Sequence, residues 1–357
     1  MKPILTWLAG LSLSLTLLCV PAQAEGPILK SEFIDDHPPY PQSHASTIAE
    51  TPAHILVAAW FGGTHERAPD VTIWVARQQK GQWQKPVSVA DGVQPDGTRY
   101  PTWNPVLFQA PGGDLLLFYK VGPSPQSWWG MVVTSKDDGR TWSAPRRLPE
   151  GILGPIKDKP VVLADGSWLS GSSVEDPVGG QGLAWHLHFE LSPDRGISWT
   201  RTADVASPVG LAAIQPTILF HKDGRLEALA RTQQGVLAMT WSRDQGRTWS
   251  GLAAIDLPNP NSGIDAVTLK DGRQLVVYNH AGHFPNQPGS GPRWPLNIAL
   301  SDDGVTWRPA LTLEDKPLPE GYAYPAVIQT DDGLVHITYT WDRKRIRHVV
   351  IDPRQLR

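Results

Sequence analysis

One eight-residue phrase recurs along this chain and constrains its fold more than any other feature. It reads SKDDGRTW at Ser135–Trp142, SPDRGISW at Ser192–Trp199 and SRDQGRTW at Ser242–Trp249, with a shortened copy, SDDGVTW, at Ser301–Trp307. Self-similarity at such a period is the signature of a repeat architecture, in which each copy marks one supersecondary unit. Within the phrase, the Asp can accept backbone N–H bonds in the turn, Gly supplies positive φ, and Trp is large enough to fill the space between sheets. The phrase is therefore read as a structural turn and not as a catalytic group.

A second element precedes each phrase: an apolar strand, a tight Asp-Gly or Gly-Asp turn, and a second apolar strand. The turn glycines are Gly113, Gly166, Gly224, Gly272 and Gly333, and Ser46–Trp60 is a degenerate sixth copy. An Asp-Gly between alternating apolar runs is the strongest short-range hairpin signal. A third strand follows each hairpin, and the Asp phrase turns into a fourth. The expected fold is all-β, a six-bladed β-propeller whose blades start near His44, Tyr100, Ile156, Ile214, Ile264 and Tyr324. The last blade lacks a fourth strand of its own, so Gly26–Tyr40 is expected to complete it. Closing the ring in this way removes exposed sheet edges.

Composition agrees with this fold. The 357 residues include Gly 33, Pro 34 and Trp 16, many turn formers and aromatics with few helix signals. Lys+Arg 32 against Asp+Glu 35 leaves a small negative charge, which gives no basis for a nucleic-acid partner. Lys2, the apolar run Leu8–Val20 and Ala22-Gln23-Ala24 read as a signal peptide over residues 1–24, so the protein is expected to be exported to the periplasm or beyond. The apolar run is short for a membrane span. The one cysteine, Cys19, lies in that leader, and residues 25–357 are expected to form a single domain without disulfides. The histidines lack ligand spacing, and no metal or cofactor is expected.

In a blade of strands A–B–C–D, the start of strand A and the B–C loop share one end, while the A–B turn and the Asp phrase share the other. Function is expected at the first end, around the axis. Strand-A starts bring His44, Trp103, Lys159, Gln215, Asp265 and Tyr324 there. B–C loops bring Arg67, Asp70, Arg231 and Arg293, with Trp128 and Trp129 as further stacking surfaces. A cationic, aromatic mouth of this kind suits a glycan carrying a carboxylated sugar, because guanidinium forks grip carboxylates and indole rings stack on sugar faces.

Across the whole span after the leader the chain resembles the sialidase (neuraminidase) superfamily, and within it the bacterial BNR/Asp-box branch. AAWFGGTHERAPDVTIW is similar to the family's first-blade segment and implies that Asp70 is the acid/base. YAYPAVIQ is similar to the last-blade segment and implies that Tyr324 is the nucleophile. EALART and PRWPLNIALSDDG place Arg231 and Arg293 at two of the three arginines that hold the substrate carboxylate. The resemblance implies an exo-acting hydrolase that releases sialic acid or a related acidic sugar.

Two positions depart from the family. His44-Ala45-Ser46-Thr47 replaces its first Arg-Ile-Pro, with Arg67 as the stand-in arginine. Gln215 replaces the Glu that assists Tyr, and Asp265 is the expected substitute base. An amide cannot accept the proton of a phenol whose ordinary pKa is about 10. Two other readings fit the same residues: a carbohydrate-binding propeller without catalysis, and a propeller polysaccharide lyase in which Tyr324 works with a histidine on a uronate.

Overall fold

The computed structural model describes residues 26–180 and 182–357; the expected leader and Cys19 lie outside them. Twenty-five strands assemble into six antiparallel sheets, one per blade. Blade 1 contains β2 (Gln42–Glu50), β3 (Leu56–Gly63) and β4 (Thr72–Gln79), with β5 (Gln82–Trp83) and β6 (Val87–Ala90) both on β4. Blade 2 runs β7 (Thr102–Gln109), β8 (Leu115–Val121), β9 (Trp129–Ser135) and β10 (Arg146–Arg147). Blade 3 runs β11 (Val161–Val162), β12 (Trp168–Pro177), β13 (Leu183–Ser192) and β14 (Thr200–Arg201). Blade 4 runs β15 (Ala213–Phe220), β16 (Leu226–Thr232), β17 (Val236–Ser242) and β18 (Ala253–Pro258). Blade 5 runs β19 (Asp265–Thr268), β20 (Gln274–Asn279), β21 (Leu296–Ser301) and β22 (Arg308–Glu314).

Blade 6 contains β23 (Tyr322–Gln329), β24 (Val335–Trp341) and β25 (Arg345–Ile351), and its outer strand is β1 (Ile28–Phe33) from the other end of the described chain. β1 pairs with β25 from Ile28↔Ile351 to Phe33↔Arg347. Glu32 anchors it through His348 Nδ1 at 3.1 Å, and His348 Nε2 lies 3.0 Å from Nδ1 of the buried His336. The six-bladed all-β fold read from the repeats is therefore the fold observed. Among the described residues no helix is long and apolar enough to cross a membrane.

The repeated phrase acts at the end of the ring away from the axial site. In its first copy Thr141 N and Oγ1 donate to Asp137 at 2.8 and 2.7 Å, and Gly139 N donates to Ser135 Oγ at 2.8 Å. The Thr141 donors, its backbone N–H foremost, hold the Asp137 carboxyl down at about 2. The backbone bond to the Asp recurs at Asp194, Asp244 and Asp303, from Ser198, Thr248 and Thr306. The phrase's Trp then reaches back one blade: Trp249 stacks on Phe189 at 3.8 Å and Trp199 meets Phe118 edge-on at 6.2 Å.

Four strand-A starts share a backbone device. β2, β7, β15 and β23 each break register against their partner strand, and the residues at the breaks, Ala45, Asn104, Gln215 and Tyr324, have φ of 55°, 38°, 58° and 50°. Bulges of this kind bend a strand and re-aim side chains. Bulky residues in the left-handed region carry strain that persists only when the surroundings enforce it.

Candidate active site

Tyr324 occupies the centre of the mouth. The His44 ring lies 4.4 Å away, centroid to centroid. The guanidinium carbons of Arg231 and Arg293 are 5.4 and 5.9 Å from the Tyr324 ring, and Lys157 Nζ is 5.8 Å from it. Gln215 Nε2 points at the phenol oxygen from 3.4 Å. Room for the ring comes from Gly263, where a Cβ would fall 3.2 Å from Tyr324 carbons and 2.9 Å from Lys157 Cε.

Arg231 Nη1 donates to Asn261 O at 3.3 Å while its Nε is buried without a partner, and its guanidinium also covers the Trp185 ring at 5.4 Å. Among the described residues neither Arg231 nor Arg293 has a carboxylate within ion-pair distance; burial, then Arg343 and Arg231, lower the Arg293 pKa despite the opposing influence of Tyr324. Arg343, on the turn after β24, is a third arginine of this group. It is held by Glu66 and, at 3.5 Å, by Glu320. The sequence places Arg343 among the B–C loop residues of the mouth, in the charged run Asp342–Arg345, without singling it out as an arginine of the site. Its position depends on left-handed backbone at Asp342 and Arg343, with φ of 50° and 52°.

His44 is buried, and Thr340 Oγ1 lies 3.0 Å from its Nδ1. Burial first, then Arg343, Arg293, Arg231 and Lys157, push its pKa well below the ordinary imidazole value, so it stays neutral. Asp70 is on the loop between β3 and β4, exposed, and accepts from Thr64 N at 3.0 Å and Thr64 Oγ1 at 2.5 Å. The Thr64 hydroxyl is the main reason its carboxyl sits below the usual range, opposite to the upward shift expected of a general acid. Arg67, on the same loop, is exposed at φ 78°.

Three expectations are corrected. Asp265 is not a base for Tyr324: its oxygens accept from Lys159 Nζ at 3.0 and 2.9 Å, Thr217 Oγ1 at 2.9 Å, and the backbone N–H groups of Ala266 and Val327 at 2.8 Å each. No lone pair is left to take a proton. Lys159 is not a substrate ligand, since its ammonium is spent on Asp265 and on Ala266 O at 3.0 Å. Trp103 is not a stacking surface. It is 2 % exposed, and its indole N–H donates to Gly122 O at 2.8 Å. Beside the Asp265–Lys159 pair, Lys157 binds Asp158 at 2.7 Å and the carbonyls of Ile264 and Pro325 at 2.5 and 2.7 Å. These four charges brace the strand-A starts of blades 3, 5 and 6 beneath Tyr324.

Glu175 stands among the B–C loop residues that the sequence brings to the mouth, with no role assigned to it there. It is half-buried near the outer end of β12, directly across the hairpin from Trp185. Burial raises its pKa, against Arg231 and Arg67, which lower it. The only sequence signal was its place on a B–C loop.

The open end of the six-bladed ring thus brings together an axial tyrosine, a neutral histidine and three arginines. The BNR repeat-like domain matches residues 54–337, most of the chain, and the protein belongs to that family. It is 25% identical over 232 residues to a sialidase of Bacteroides fragilis, covering 58% of this chain and 39% of the relative. It is also 25% identical over 183 residues to the anhydrosialidase of Macrobdella decora, covering 45% of this chain and 23% of that protein. The aligned part thus spans well under half of either relative. A Hadza microbial sialidase superposes with a TM-score of 0.72 at 17% identity, over 92% of this chain and 69% of that one. The intramolecular trans-sialidase of Ruminococcus gnavus does so at 0.67 and 14%, over 91% and 97%. A protein of unknown function from Dyadobacter fermentans reaches 0.73 at 17%, over 91% and 98%. At these identities the structural likenesses establish the sialidase-type fold.

Proposed function

We propose that this propeller is an exo-acting glycoside hydrolase that removes a terminal sugar bearing a carboxylate. The observation that carries the reading is the pair Arg231 and Arg293, poised over Tyr324 without an anionic partner among the described residues and joined by Arg343. A substrate carboxylate supplies the missing counter-charge, and guanidinium forks bind it bidentately. Sialic acid and uronic acids both meet that requirement.

In the proposed reaction, Asp70 leaves Thr64 as the substrate covers its loop, which desolvates the carboxyl and lets it hold a proton. It gives that proton to the leaving oxygen while Tyr324 Oη bonds to the anomeric carbon. Gln215 cannot accept the phenol proton. His44, in ring contact with Tyr324, is the base that takes it once the substrate carboxylate offsets the arginines that otherwise keep the imidazole neutral. Water then breaks the sugar–tyrosine bond, losing a proton to Asp70, and His44 returns its proton to the phenolate. Export by way of the leader is part of the same proposal, since a glycan substrate lies outside the cytoplasm.

The Tyr324–His44 contact also favours a second reading, a lyase that abstracts the proton beside a uronate carboxylate. Fluorogenic α-sialosides and α- and β-uronides test the first reading, with Asp70→Asn and Tyr324→Phe alongside. Cleavage lost in both variants supports the hydrolase. A new near-ultraviolet absorbance from a C=C bond in polyuronate digests, with no aryl glycoside cleaved, supports the lyase.

A further inference from the structure

Arg343 differs from the other two arginines of the mouth in already holding a carboxylate, and that carboxylate comes from the loop that carries Asp70. Glu66 Oε2 accepts from Arg343 Nη1 across 277 positions of sequence. The arginine is the fixed partner. Its carbonyl accepts from Ser43 N at 2.8 Å; beside it, Asp342 N donates to Gly321 O at 2.8 Å and Asp342 Oδ1 accepts from Glu320 N at 3.0 Å. Glu66 is the movable one. Among the described residues, its bond to Arg343 is the only hydrogen bond that ties residues 64–68 to anything outside their own loop. The second half of the loop is anchored elsewhere: Ala68 and Val71 are buried, and Pro69 O accepts from Arg99 Nε at 2.8 Å.

That division bears on Asp70. Both donors on its carboxylate, the N–H and the hydroxyl of Thr64, belong to the half of the loop that Arg343 holds. While Glu66 sits on Arg343, Thr64 stays on Asp70 and keeps its carboxyl below the usual range. A substrate carboxylate gripped by Arg231 and Arg293 arrives beside Glu66, whose charge already reaches Arg293 and Glu175. Two carboxylates crowded onto one cluster of cations repel each other, and the one on the movable segment yields.

The geometry points to Glu66 as the residue that makes this site demand a carboxylate: it occupies Arg343 in the empty site, and its exchange for the substrate carboxylate draws Thr64 off Asp70 and frees the acid. A neutral sugar brings no charge with which to displace Glu66. It leaves Asp70 tied to Thr64, and its leaving oxygen receives no proton. Selection is thereby exerted on turnover as well as on binding, as in any site that the correct substrate's binding energy assembles. The inference rests on the hydrolase reading for what Asp70 does, whereas the exchange at Arg343 requires only a ligand carboxylate.

Two measurements on wild type, Glu66→Ala and Glu320→Gln test it: amide hydrogen exchange of the peptide spanning residues 62–71, and calorimetric binding of N-acetylneuraminic acid, glucuronic acid and their methyl esters. Without ligand, that peptide is expected to exchange at least tenfold faster in Glu66→Ala than in wild type. Glu320→Gln removes the other carboxylate on Arg343 without touching the loop, and its peptide is expected to exchange at the wild-type rate. One of the acids should bind Glu66→Ala at least fivefold more tightly than wild type, and its ester should gain nothing. Unchanged exchange in Glu66→Ala, the same acceleration in Glu320→Gln, or acid binding that is equal or weaker in Glu66→Ala would overturn the proposal, because a Glu66 that only supports Arg343 weakens carboxylate binding when it is removed. If neither acid binds wild type or Glu66→Ala, the carboxylate reading fails and the exchange falls with it. If the affinity gain is seen but no glycoside is cleaved, the hydrolase reading fails and the role of Glu66 at Arg343 stands.

Discussion

His44 and Tyr324 come from opposite ends of the described chain, yet their rings lie 4.4 Å apart and are tilted by 51°. β2 of the first blade and β23 of the last are neighbours around the axis, so ring closure makes this contact. If His44 takes the Tyr324 proton, His44→Gln should lower kcat by about 10²–10⁴-fold, the usual range for a lost acid or base, and leave KM within a few-fold. Because the imidazole of the free protein is already neutral at ordinary pH, wild-type kcat/KM should show no His44 titration near pH 6.5. Steady-state kinetics from pH 4.5 to 8 check both points.

Arg231 offers a test of substrate class. Replacing it with Lys keeps the charge but removes the fork, and a lost charge-assisted bond costs about 1.5–3 kcal/mol. The expected result is a roughly 10–100-fold fall in kcat/KM on the acidic substrate, with unfolding temperature unchanged within a few degrees.

Asp265 separates structure from chemistry. Removing one partner of a buried pair leaves an uncompensated charge and costs about 3–5 kcal/mol. Asp265→Ala should therefore lower the urea midpoint sharply by stranding Lys159. Asp265→Ala/Lys159→Met should recover part of that loss, and the recovered protein should keep measurable turnover, which a catalytic base would not permit.

The ring closure has its own pH signature. Burial pushes His336 down to about 4, and His348 beside it is lowered for the same reason. Between pH 6.5 and 4 the unfolded chain binds a proton at His336 that the folded chain does not, so stability falls as pH falls through that window. For a single group the loss is on the order of 3 kcal/mol. Urea unfolding at pH 7 and pH 4.5 should differ less in His336→Gln than in wild type.

Gly263→Ala tests how tightly Tyr324 is placed. The added methyl meets both Lys157 and the Tyr324 ring, and a small displacement of a reacting group is costly. Turnover should fall at least tenfold in a protein whose circular dichroism is unchanged.

The blades could be read from the sequence because each carries its own turn chemistry. Asp137 and Gly139 fold locally, within a few residues of their partners. Tyr324, Arg231 and Arg293 also came from local patterns around strand starts and B–C loops, and the structure brings all three together. Pairings across the ring left no local trace. Lys159 meets Asp265 across 106 positions, so nothing near Asp265 revealed that its oxygens were taken. Trp103 and Trp128 were both expected as stacking surfaces, and only packing shows that Trp103 is core. Arg343 depended on two left-handed residues that a charged loop does not announce.

The most direct measurement pairs each aryl sialoside and uronide with its methyl ester and follows release by the purified protein. The account predicts that one free acid is cleaved, that its neutral ester is cleaved at least a hundredfold more slowly, and that Tyr324→Phe abolishes the reaction. Equal cleavage of acid and ester, or full activity in Tyr324→Phe, would contradict it.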